Sequence, residues 1–159
     1  MLKWIAAAAV LLMPAAAQAQ AQQWYVTAAN AENTALIFVD RTSVSLKGNE
    51  ATASLLIVSI DDGNGKDEAI LFTLVFDCQR KTYRTLTGQM LDIDGNPVGE
   101  MMRDKSDWIP MRPDSFFNGP QEFACGGSVN PSPDMLIGPN IPVRAGTTYL
   151  HDQHDKKKD

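Results

Sequence analysis

The stretch "EAILFTLVFDCQRKTYRTL", residues 68–86, decides the fold. Its first half alternates: Ile70, Phe72, Leu74, Phe76 and Cys78 fall on one side at period two, and Ala69, Leu71, Thr73, Val75 and Asp77 on the other. That is a strand with one strongly apolar face and one mixed face. Cys78 closes the apolar column and should point into a core. A second strand-like segment starts almost at once, at Lys81. So short a link permits a hairpin and no crossover, and the two strands must run antiparallel.

Working outward, further runs rich in Val, Ile, Thr and aromatic residues cover 24–29, 36–41, 51–60 and 98–103, beside the strands at 68–78 and 81–91. The later links ("KGNE", "DDGNGKD", "DGN") are turn chemistry. The reading is an α+β fold with a six-stranded, mainly antiparallel sheet. A helical segment follows in "DWIPMRPDSFFNGPQEFACGG". Pro113 and Pro120 can each start a helix, Asn118-Gly119 interrupts, and Gly126-Gly127 stops it. Two short pieces or one kinked helix are expected across 113–126, packing on one sheet face through Phe116, Phe117, Phe123 and Ala124.

The N-terminus, "MLKWIAAAAVLLMPAAAQAQAQ", has a positive Lys3, an apolar run of about ten residues and small-x-small cleavage sites ending at Ala19 and Ala21. The run is too short to span a bilayer, which needs roughly 20 residues. Residues 1–21 are therefore expected to be a cleaved signal peptide. No cysteine follows the run, so no lipid anchor is expected. Removing Lys3 leaves 13 basic against 19 acidic residues, a net charge of −6. That balance argues against general nucleic-acid binding. The domain is expected over 22–127. Four prolines make 128–146 an extended surface segment, and the charged end 147–159 reads as a solvated, disordered tail.

Export settles the chemistry of the two cysteines. Outside the cytoplasm a pair is normally oxidised. Cys78 and Cys125 have no histidine near them in the folded body, because His151 and His154 lie in the tail, and their spacing matches no zinc pattern. We read them as one structural disulfide joining the inner face of the central strand to the end of the helical segment. Closing that loop stabilises by roughly 4 kcal/mol in the chain-entropy view.

Other groups read as structure first. "DDGNGKDE" lacks the spacing of a calcium loop and suits a hairpin turn. Asp92 and Asp94 sit in a turn, "DIDGNP", which needs no substrate to explain it. His151 and His154 belong to a polar tail with adventitious metal affinity at most. Trp24, Tyr25 and Trp108 fit either an aromatic binding patch or caps on the core edges of the sheet, and the sequence does not decide between them. Arg80, Lys81, Tyr83 and Arg84 form the best local candidate for a contact surface. No cofactor, metal or catalytic set is expected.

The ordered set "IFVDRTSVSLKGN", "FDCQRKTYR", "DIDGNPV", "DWIPMRPDS" and "EFACG" resembles the surface-adhesin protein E family of Gram-negative bacteria over about 105 residues. The resemblance implies a six-stranded antiparallel sheet with a helix held against it by a Cys78–Cys125 bond. It also implies a non-enzymatic binding module with matrix or envelope proteins as partners, at the cell surface or in the periplasm. A soluble periplasmic carrier of a small ligand is the rival expectation. An edge strand of such a sheet can pair with a copy of itself, so a homodimer is allowed.

Overall fold

The structure, a computed structural model, describes residues 21–61, 66–103, 106–126, 136–138 and 140–156. The expected signal peptide lies outside these residues, apart from its last position. So do the middle four residues of the "DDGNGKDE" loop, 62–65, and the first part of the Pro-rich segment.

Eight strands form one antiparallel sheet: β1 (Trp24–Ala29), β2 (Ala35–Lys47), β3 (Glu50–Ser59), β4 (Glu68–Asp77), β5 (Thr82–Leu91), β6 (Pro97–Met102), β7 (Ile109–Pro110) and β8 (Leu136–Gly138). The order across the sheet is β6-β5-β4-β3-β2-β1-β8, with β7 pairing the far end of β5. The six expected strands are present, and β7 and β8 add to them. Each addition is only two or three residues long and carries a proline or glycine, so neither announces itself as an alternating run. β8 falls in the segment 128–146 expected to lie extended over the surface and pairs antiparallel with β1, while the last four residues of that segment, 143–146, are helical.

The central strand behaves as its alternation requires. Leu74, Phe76 and the half-buried Phe72 and Cys78 enter one core with Ile37, Val39, Ala51, Ala53 and Leu55. Helix α1 (Asn118–Cys125) closes it through Pro120, Gln121 and Ala124. The Cys78–Cys125 bond spans 5.6 Å between Cα atoms and fixes the end of α1 to the end of β4. The helix is shorter than expected. Pro113, Asp114, Phe116 and Phe117 lie in turns, and the helix starts at Asn118, so Pro120 stands in the first turn where its missing N–H is harmless.

The second face is where the structure departs from the sequence reading. It is covered by a second helix, α2 (Val143–Asp155), which includes most of the expected solvated tail. Val143, Gly146, Thr147 and Leu150 are its buried residues, spaced i, i+3, i+4, i+7. They pack with Trp24, Leu36, Phe38, Leu56, Val58 and Ala69. Gly146 permits the close approach: a Cβ there would stand 3.0 Å from the ring of Phe38. An ion pair from Arg144 to Asp94 in the β5–β6 turn and a hydrogen-bond contact of 3.0 Å between His151 and Asp67, before β4, hold the helix to the sheet. The molecule thus has three layers, α1, sheet and α2, each side with its own core.

Candidate interaction surface

Directly opposed residues in an antiparallel sheet share a face. Two cross-strand rows on the α1 face can therefore be followed outward from the core. One runs Ile37, Ile57, Ile70, Met90, Val98. The other runs Val39, Leu55, Phe72, Gly88, Met102. Both begin fully buried under α1, which packs mainly on β1, β2 and β3. Both emerge into solvent at β5 and β6, where Met90, Val98 and Met102 are 46%, 50% and 54% exposed. Ile109 on β7 lies opposite Tyr83 on the same face and is also exposed.

Gly88 holds this field together. With no side chain there, the methyl end of Met102 and the ring of Phe72 close over its backbone; an added Cβ would meet them at 2.9 and 3.1 Å. The result is an apolar stripe that continues the core of the α1 face out to the sheet margin. Two of its three outer residues, Met90 and Met102, are methionines, which adapt their shape to irregular partners. A stripe of this kind marks an interaction surface more often than an accident of folding.

The free edge beside it is guarded. β6 begins with Pro97, bends at Gly99 (φ +71°), shifts register against β5 and carries an exposed Glu100. These are the devices that discourage strand addition. The face, not the edge, is offered.

The other singled-out residues fall elsewhere. Arg80 and Lys81 sit in the β4–β5 turn, which Asp77 organises by accepting the backbone N–H groups of Gln79 at 3.0 Å and Arg80 at 2.9 Å. Lys81 takes a left-handed conformation there (φ +52°). Tyr83 turns inward and stacks 4.8 Å from Phe117. Arg84, one residue on, points to the opposite face and lies 4.6 Å over the ring of Trp108, so the four side chains do not share one surface. Trp24 is fully buried, and Tyr25 packs 5.7 Å from Phe123. Asp92 organises its turn by accepting from the backbone of Asp94 and Asn96 at 2.9 and 2.8 Å, while Asp94 binds Arg144. Among the described residues no group of three or more His, Cys, Asp or Glu side chains could hold a metal ion, and no helix is long and apolar enough to cross a membrane.

With sheet, helix and disulfide in place, the family model described as surface-adhesin protein E matches residues 24–126. The chain belongs to the surface-adhesin protein E family. The match covers the sheet from β1 to β7 together with α1 and both cysteines, and it stops before β8 and α2. No significant match was found among curated proteins or solved structures. Membership of the adhesin E family puts the chain among exported or surface proteins, and the disulfide is consistent with export. The outer stripe was missed at the sequence level because Met90, Met101 and Met102 look like ordinary strand residues. The signal was three methionines clustered at the last two long strands, where a covered sheet has least need of them.

Proposed function

We propose that this chain is an exported, non-enzymatic protein-binding module that engages a matrix or envelope protein through the open apolar part of its α1 face. The observation that carries the reading is the exposed Met90–Val98 pair with Met102, continuous with the core and left uncovered by α1. Apolar anchors surrounded by a polar rim are what protein interfaces use. The signal peptide at 1–21 would deliver the domain across the membrane, to the cell surface or the periplasm.

The test is a paired binding measurement on purified matrix proteins immobilised as a panel. The wild-type mature chain should bind at least one of them saturably. V98E/M102E should lose that binding by more than ten-fold while keeping the wild-type melting temperature, because both side chains are already half in water. Equal binding by the two chains would overturn the assignment of the face. Binding by neither, to matrix proteins or to purified envelope proteins, would overturn the function.

A further inference from the structure

A second, separate site lies on the other side of the sheet. α2 packs on β3 and β2 and does not seat flush on the flank toward β1. A cavity of about 440 Å³ remains, walled by Val26, Leu36 and Phe38 from the sheet and by Ala145, Gly146 and Tyr149 from the helix. It is about three times the size of the ~150 Å³ apolar cavity that accepts a benzene molecule, and it falls within the usual range for small-molecule sites. Its walls are almost wholly hydrocarbon. The cavity leads past Ala145 and Tyr149, shared walls, into a wider and more polar depression flanked by Asn140, Arg144, Thr148 and Asp152.

The Arg144 guanidinium is engaged by the Asp94 carboxylate. Asp152, two helical turns on along the same side of α2 as Arg144 and Thr148, adds a further negative charge. Tyr149, about half exposed, presents an aromatic ring between cavity and mouth. A carboxylate beside an aromatic face suits a cation. We infer that the α2 cavity binds small single-chain amphiphiles, their apolar body under the helix and an amine or quaternary ammonium head at Asp152 and Tyr149. The site does not share a residue with the α1-face stripe, so the two assignments stand or fall separately.

Three decyl-chain probes, decyltrimethylammonium, decyl maltoside and decyl sulfate, test this by calorimetric titration below their micelle concentrations. All should compete for one site per chain. The ammonium probe should bind about two- to five-fold more tightly than the maltoside at low salt, the scale of one exposed charge contact, and the sulfate most weakly. Asp152→Asn should remove the ammonium advantage and leave maltoside affinity unchanged. Ala145→Leu fills the cavity from an exposed helix position and should weaken all three probes by more than ten-fold. Ala29→Leu does the same from the sheet side and replaces it if the first variant melts early. No saturable binding, or full binding in both filled variants, would overturn the site. An equal or tighter grip on the sulfate would overturn the head-group assignment.

Discussion

Gly119 shows how finely α1 is seated. In an exposed helix, glycine to alanine gains about 1 kcal/mol of helix propensity. At Gly119 the sign should reverse, because an added Cβ would lie 2.1 Å from the carbonyl oxygen of Thr27 on β1. That neighbour is backbone and cannot swing away, so either the helix lifts or the strand bends. Gly119→Ala is expected to cost about 2–3 kcal/mol, the upper part of the overpacking range, read from urea midpoints. A stabilised variant would mean that α1 does not rest on β1 at this distance. Asp92 offers a test of a different kind. The N–H groups of Asn96, backbone first and side chain second, hold its carboxyl below the ordinary aspartate value of 3.8. The folded state therefore releases this proton more readily than the unfolded chain does. The stabilisation is fully present above pH 4 or so and is lost as pH falls through the lowered folded value. A carboxyl-carbon titration by NMR should give a midpoint below that of an unstructured aspartate. A midpoint at or above it would show the turn to be open in solution.

At the scale of elements, the expected strands could be read because each carried its own period. The 70-72-74-76-78 column named both the sheet and the face that receives α1, and the expected export pointed to an oxidised cysteine pair before any geometry was known. Helix α2 could not be read the same way. Its buried set has helical spacing, but two of the four positions are Gly146 and Thr147, so a hydrophobicity pattern has only Val143 and Leu150 to show. Four prolines upstream and four acidic or basic residues at its end then argued for a tail. The missing information lay in the partner: Phe38 and Val58 need a glycine opposite them, and only the packed pair makes Gly146 a core residue. The docking stripe was hidden for the opposite reason, since α1 turned out too short to reach β5 and β6. If α2 is part of the fold, a chain ending at Asn140 should lose about 3–6 kcal/mol for the burial of Val143 and Leu150 alone. It should also bind a hydrophobic dye through the uncovered second face. An unchanged melting temperature with no dye signal would show that the helix only visits that face.

The whole molecule is a sheet treated differently on its two sides. One side carries a helix clipped by the Arg144–Asp94 ion pair and the His151–Asp67 hydrogen bond, with a cavity beside it. The other carries a covalently fixed helix over half its width and leaves the rest as bare core. The division separates two ways of holding a protein partner. The turn with Arg80 and Lys81 would act through charge, and an interaction built there would weaken steeply as salt screens it. The Met90–Val98–Met102 stripe has no charge of its own, so an interaction built there draws on apolar burial, which salt does not weaken. The affinity for a matrix protein that the wild-type chain binds is therefore expected to change by less than about two-fold from low to high salt, against a much larger loss for a charge-driven contact. Its binding heat capacity should be clearly negative, the mark of buried apolar surface. Reversing the turn charges with R80E/K81E should leave the affinity intact. A steep loss of affinity with salt, together with a loss in R80E/K81E, would move the contact from the face to the turn, and the exposed stripe would then need another occupant.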